Sequence, residues 1–153
     1  MDRTYVTENN RERARLHALV VRLSHGELAR PLEAGWTIAA VLAHLAFWDQ
    51  RVLELIARWE QDGLPAVPPP LDGKHVDWIN DSTKTLCLAL SPRAAARLAV
   101  STADAADRRV EALSPQHLAA NAAAGSPINL VRAEHRREHL DEIERAVGRS
   151  SAR

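Results

Sequence analysis

His44, His135 and His139 are the residues of this chain best suited to chemistry. The last two stand one helical turn apart, and an i, i+4 pair projects both imidazoles from one helix face at a spacing that can chelate a single ion. A third imidazole from a facing helix completes a three-nitrogen set and leaves a fourth position open. Structural zinc sites are closed by four protein ligands, whereas catalytic sites keep a position free. The pattern points to a metal-centred site without naming its reaction.

His135-Arg136-Arg137-Glu138-His139 also spells H-x-x-E-H, a metalloprotease signature. Those enzymes are much larger and need a further ligand well downstream, so that reading is rejected. On a helical wheel centred on His135, the residues Ile128, Val131, His139, Glu142 and Ala146 fall within about 40 degrees, and Glu138 lies about 60 degrees off. The two histidines are therefore expected in the middle of a buried stripe, with Arg136, Arg137, Asp141 and Arg145 to one side or away. Glu142 points inward and is a candidate to orient a ligand or substrate, or else to pair with a bundle arginine, while Glu138 reads as a surface group or one that supports a ligand from behind. His44 repeats the pattern, with Val41 and Trp48 one turn either side, and Trp48 is placed to wall a substrate pocket. Trp36, Phe47 and Trp59 read as core packing. His17, His25, His75 and His117 carry no partner pattern and read as exposed, and Arg11, Arg13 and Arg15 as a solvated helix face.

These side chains need helices to position them, and helical periodicity runs through nearly the whole chain, with no strand-like alternation. A first helix is expected from about Asn9 to Ser24, then a loop from Gly26 past Pro31 to Gly35. Thr37 is the N-cap of a long second helix reaching about Gln61. Gly63 to Pro70 reads as a stiff crossover loop. Three Ser-Pro pairs, Ser91-Pro92, Ser114-Pro115 and Ser126-Pro127, read as helix starts with serine as N-cap and proline at the first helical position. They imply helices from about Val76 to Leu90 and from Pro92 to Leu113 (or one kinked rod), a short turn after Pro115, and a last helix from Pro127 that Gly148 ends. The fold class is all-α, an up-and-down four-helix bundle.

Composition narrows the functions. The 153 residues fit one domain, 1–153, with loose ends at 1–7 and 149–153, and are enough for a hydrophobic core. Twenty basic residues balance twenty acidic ones, which argues against a nucleic-acid or membrane-surface role. The single cysteine, Cys87, sits in an apolar run and reads as a small buried hydrophobe. With no internal disulfide possible and no apolar span or signal peptide, a cytoplasmic location is expected.

The run from Gly35-Trp36-Thr37 to His44-Leu45, with His135 and His139 near the C-terminus, resembles the DinB superfamily, which includes maleylpyruvate-isomerase N-terminal domains and YfiT-like proteins. Val76-Asp77-Trp78-Ile79-Asn80 is similar to the start of that family's third helix. The resemblance implies a four-helix bundle with a divalent metal, often zinc or nickel, at His44, His135 and His139. It also implies a thiol-dependent S-transferase or isomerase acting on a small electrophile. A low-molecular-weight thiol such as mycothiol or bacillithiol would bind the open position as the nucleophilic thiolate, beside Trp48 and the third helix. Asp77 and Asn80 are candidates to contact substrate or thiol. The mycothiol-dependent isomerase branch typically has glutamate where this chain has His135. Lysine occurs only at Lys74 and Lys84, the mark of a GC-rich bacterial genome such as those of mycothiol producers. Two other functions fit the same bundle: a non-catalytic small-molecule-binding stress protein, and a metal-independent detoxifying hydrolase. The expected partners are a small-molecule substrate and a second copy of the chain, with neither nucleic acid nor membrane.

Overall fold

A computed structural model describes residues 2–63 and 68–151, and every element in it is helical apart from one isolated bridge between Pro31 and Thr37. In chain order the helices are α1 Thr4–Arg22, α2 His25–Leu28, α3 Ile38–Asp62, α4 Gly73–Ala89, α5 Pro92–Glu111, α6 Pro115–Ala123 and α7 Ala133–Ser151. A 3₁₀ turn at Glu33–Gly35 precedes α3. The all-α expectation holds, with seven helices among the described residues rather than four. Four long ones close a ring: α5 packs on α1 and α3, and α7 packs on α1 and narrowly on α3. The extra helix α4 lies against α3 and leaves Trp78 and Leu86 exposed.

Local chemistry explains most boundaries. Thr37 caps α3 by accepting a hydrogen bond from the Ala40 N–H at 3.1 Å. Ser91 and Ser114 do the same for α5 and α6, each with proline behind it. Ser91 is extended (ψ 143°), so α4 and α5 are two helices and not one kinked rod. A capping box at Ser24 and Glu27 starts α2 where a loop was expected. Of the crossover loop, 64–67 lie outside the described residues, and 68–70 are non-helical as expected.

The last helix departs from expectation at both ends. Ser126 has φ +58°, incompatible with the extended backbone of an N-cap, so Ser126-Pro127 starts no helix. The chain from Ile128 to Ala133 is instead held by two buried asparagines. Asn121 bonds both the N–H and the C=O of Ile128, and Asn9 of α1 donates to the Leu130 carbonyl and accepts from the Ala133 N–H at 2.9 Å. The start of α7 is thus capped from α1, a long-range partner that local sequence does not reveal. Gly148 does not end the helix either, since α7 continues to Ser151.

The buried side of α7 is also displaced from the histidine stripe. Arg132, Arg136, Leu140 and Ile143 face the core, while His135, His139 and Glu142 lie half-buried at its edge. Arg136, expected off to one side, is 1% exposed and reaches both carboxylate oxygens of Asp107 at 2.7 and 2.8 Å and Asp49 at 3.2 Å. Arg132 donates to the other Asp49 oxygen at 2.9 Å. The expected solvated arginines of α1 are likewise interhelical: Arg13 pairs with Asp104 and Asp107, and Arg15 with Asp141 and Glu144. Only Arg11 is mostly exposed.

Removing one partner from a buried pair leaves an uncompensated charge in a poorly solvated place. Arg136→Met should therefore lower the unfolding free energy by about 3–5 kcal/mol, read by urea denaturation. Arg145→Met, on the exposed side of α7, should change it by about 0.5 kcal/mol or less. Equal effects of the two would show that the buried network contributes nothing special.

Candidate metal centre

His44 faces α7, six residues into a run of α3 from Ile38 to Ala46 that is buried throughout. Its Nε2 is 3.0 Å from Nε2 of His135. The three ring centroids form a nearly equilateral triangle: 5.0 Å from His44 to His135, 4.9 Å from His44 to His139, and 4.9 Å between His135 and His139. One nitrogen from each ring lies within 4.8 Å of the others. Tetrahedral coordination at about 2.0–2.1 Å puts ligand nitrogens roughly 3.3 Å apart. The His44–His135 pair is therefore already within a few tenths of an ångström of ligand spacing, and small rotations of His139 complete the set. The rings meet edge to face rather than stacking.

The donor chemistry fits a metal. Burial, and then the charge of His139, pushes the His44 imidazole down to about 4. Burial and then the neighbouring histidines and arginines push His135 down to about 2. Both are neutral bases at physiological pH, the form that binds metal. Glu142 accepts from Nδ1 of His139 at 3.1 Å, which fixes that ring and leaves Nε2 for the ion. Glu142, expected to point inward, is half-buried at the edge of the core and makes this contact. Nδ1 of His44 is buried with no partner among the described residues, so the carboxylate support falls on His139 alone.

Two cavities flank the triad, and both include His135, Asn80 and Val76 in their walls. One, of about 360 Å³, runs between α3, α4 and the 126–132 segment past Trp48 and Arg51. The other, of about 680 Å³, opens past Trp36 and carries Glu138, Glu142 and Asp77. The Trp48 indole N–H donates to Asn80 Oδ1 at 3.0 Å, tying α3 to α4 across the site. Trp48 and Asn80 thus line the smaller cavity, whereas Asp77 is exposed at the rim of the acidic one. Trp36, read from sequence as core, lies edge-on to His44 at 5.7 Å and is a wall of the site.

Other histidines and Cys87 stay apart. His25 and His75 are exposed as expected, but His17 bonds Asp104, and His117 bonds Ser114 and packs on Trp59. Cys87 is buried and its thiol pushed up by that burial, an inert hydrophobe as read. Sequence reasoning missed Arg51 and Arg132. The available signal was a pair of arginines one turn from Trp48 and His135 respectively, which charge patterning alone treats as surface.

Compared with known proteins, the chain matches the family model of the DinB superfamily over residues 8–143. No curated protein and no solved structure gives a match. Among the described residues no helix is long and apolar enough to cross a membrane.

Two outcomes follow from the geometry. Glu142→Gln should weaken metal binding about 10- to 100-fold without unfolding the protein, measured by competition with a chromogenic chelator. Stability of the metal-free protein should also fall in acid. The folded pKa values of His44 and His135 lie below the ordinary value of about 6.5. The unfolded chain therefore takes up protons first as pH drops. The contribution is complete above about pH 6.5 and is lost as pH falls from there through about 4 for His44 and about 2 for His135. Urea midpoints at pH values stepped down from neutral should show this decline, and it should be shallower in His44→Phe, where His135 alone remains; a flat wild-type profile would contradict the burial argument.

Proposed function

Because the chain belongs to the DinB superfamily, we propose that His44, His135 and His139 hold one divalent metal, zinc or nickel, and that the protein is a thiol-dependent S-transferase or isomerase acting on a small electrophile. The observation that supports this most directly is the triangle of imidazoles beside two cavities. Three protein nitrogens leave a position for an exogenous ligand, which a structural site would fill. When bound, such a cation supplies Lewis acidity that lowers the pKa of a thiol or water in its open position.

The chain's own residues account for the rest. Glu142 orients His139, and the neighbouring bases stay unprotonated because burial and mutual repulsion oppose their charging. Trp48, held by Asn80, presents an aromatic wall against which a small organic substrate can pack while water is excluded from that side. The thiol that the family resemblance implies is a low-molecular-weight cofactor such as mycothiol or bacillithiol; the chain's one cysteine, Cys87, is buried with its thiol pushed up and is a poor nucleophile.

Elemental mass spectrometry of untagged protein should find about one equivalent of metal, lost in both His44→Ala and His139→Ala. Thiol consumption with a panel of epoxide, haloalkane and unsaturated-carbonyl electrophiles should disappear with the metal. Activity that survives in metal-free His44→Ala would overturn the proposal in favour of a metal-independent hydrolase. Ligand binding with no turnover across the panel would favour a sequestering protein.

A further inference from the structure

The two cavities beside the triad carry opposite charge. The one past Trp48 holds Arg51 and Arg132 and not one carboxylate. The one past Trp36 is lined by Glu33, Asp77, Asp81, Glu138 and Glu142, with a single cation, Lys84, lying over the Trp36 ring at its mouth. The two arginines are not equivalent. Arg132 is spent on Asp49, at 2.9 Å and almost wholly buried. Arg51 makes no ion pair among the described residues, and its guanidinium lies 5.8 Å from the Trp48 ring centroid. It is half-buried, and burial together with the charge of Arg132 works against its protonation, a cost that the Trp48 ring offsets only in part and that no carboxylate among the described residues offsets. A half-buried, unpaired guanidinium in the wall of a cavity, with an aromatic face beside it, is the arrangement that receives a carboxylate in a forked hydrogen bond.

We propose that the cavity between Trp48, Arg51 and His135 is a carboxylate subsite, so that the ligands of this protein are small organic acids whose carboxylate docks on Arg51 while their reactive end reaches the histidine triad. This names the substrate class for the function proposed above and rests on that reading for the identity of the reactive end, though not for the subsite itself. The orientation is set by charge: an anionic group turned the other way would meet Glu138 and Glu142. The volume of about 360 Å³ lies within the ordinary range for small-ligand sites. The carboxylate can belong either to the thiol cofactor or to the electrophile, and both would be read by the same guanidinium.

The test is calorimetric titration of the metal-loaded protein with 3-mercaptopropionate and with its uncharged amide, 3-mercaptopropanamide. The carboxylate should bind roughly tenfold more tightly, the worth of one charge-assisted hydrogen bond. Arg51→Gln should erase that preference while leaving the amide's affinity unchanged, and Arg51→Lys should keep part of it. Equal affinities in the wild type, a preference that survives in Arg51→Gln, or no detectable binding of the carboxylate would overturn the subsite.

Propionate against propionamide on chelator-treated protein separates this from the metal reading. An Arg51-dependent preference in a protein that takes up no metal supports the subsite and sinks the metal proposal. Metal and thiol binding with no carboxylate preference does the reverse. With 2-mercaptoethanol saturating the loaded protein, propionate that still binds places the carboxylate on the electrophile, and propionate that is excluded places it on the thiol; both support the subsite.

Discussion

Arg136 lies between Asp49 of α3 and Asp107 of α5, with 1% of its surface exposed, and Arg132 shares Asp49 from the residue just ahead of α7. Two buried acids and two buried arginines balance to neutrality, so the cluster is tolerable in the core only as a complete set. Its directional hydrogen bonds admit one register of α7. Arg132 and Arg136 each precede a triad histidine by three residues, so whatever fixes the arginines fixes His135 and His139. Asp49 stands five residues beyond His44 on α3. The ionic tie and the imidazole triangle are therefore two adjacent contacts between the same pair of helices, which otherwise meet only narrowly.

That pairing divides labour along α7. The row Arg132, Arg136, Leu140 and Ile143 faces inward and holds the helix, and the row His135, His139 and Glu142, about 100 degrees round, faces the cavities. Positions facing the core need complete satisfaction of every polar atom, and Arg136 and Asp107 nearly achieve it. Positions at the edge are free to carry groups whose partners are incomplete. His44 Nδ1, unpartnered and buried, is the one place where the site departs from full satisfaction on the α3 side, and it adjoins the chemistry.

Much of this was legible in the sequence because its signals are local. Thr37, Ser91 and Ser114 cap helices with bonds spanning three residues, and the histidine pair needs only helical periodicity to be brought together. The meeting of that pair with His44 required a guess about which helices face each other, which the structure bears out in distance. What escaped was non-local. The start of α7 depends on Asn9, more than a hundred residues earlier, so Ser126-Pro127 looked like a start on local grounds and was not one. Arg136 looked peripheral because a wheel centred on His135 assumes a single buried face. A helix wedged between α1 and α3 has two flanks, and its most buried row lay a quarter-turn away. The capping box at Ser24 was fully local and could have been read.

The choice of three imidazoles has an electrostatic consequence that ties the triad to its surroundings. A donor set of two histidines and a carboxylate neutralises half of a dication's charge, whereas His44, His135 and His139 contribute none. The nearest balancing carboxylate is Glu142, one hydrogen bond removed behind His139. On the other flank lie Arg51 and Arg132, whose second charge is already matched by Asp49. The potential therefore falls across the site, from the cavity past Trp48, where cations predominate, to the cavity past Trp36, where five carboxylates outnumber Lys84. A ligand with neither charge nor dipole would feel no preferred direction in such a field. A ligand with a charged end would be turned by it before any contact formed, and in a cleft this polarised, orientation is decided by charge and distance by the three rings.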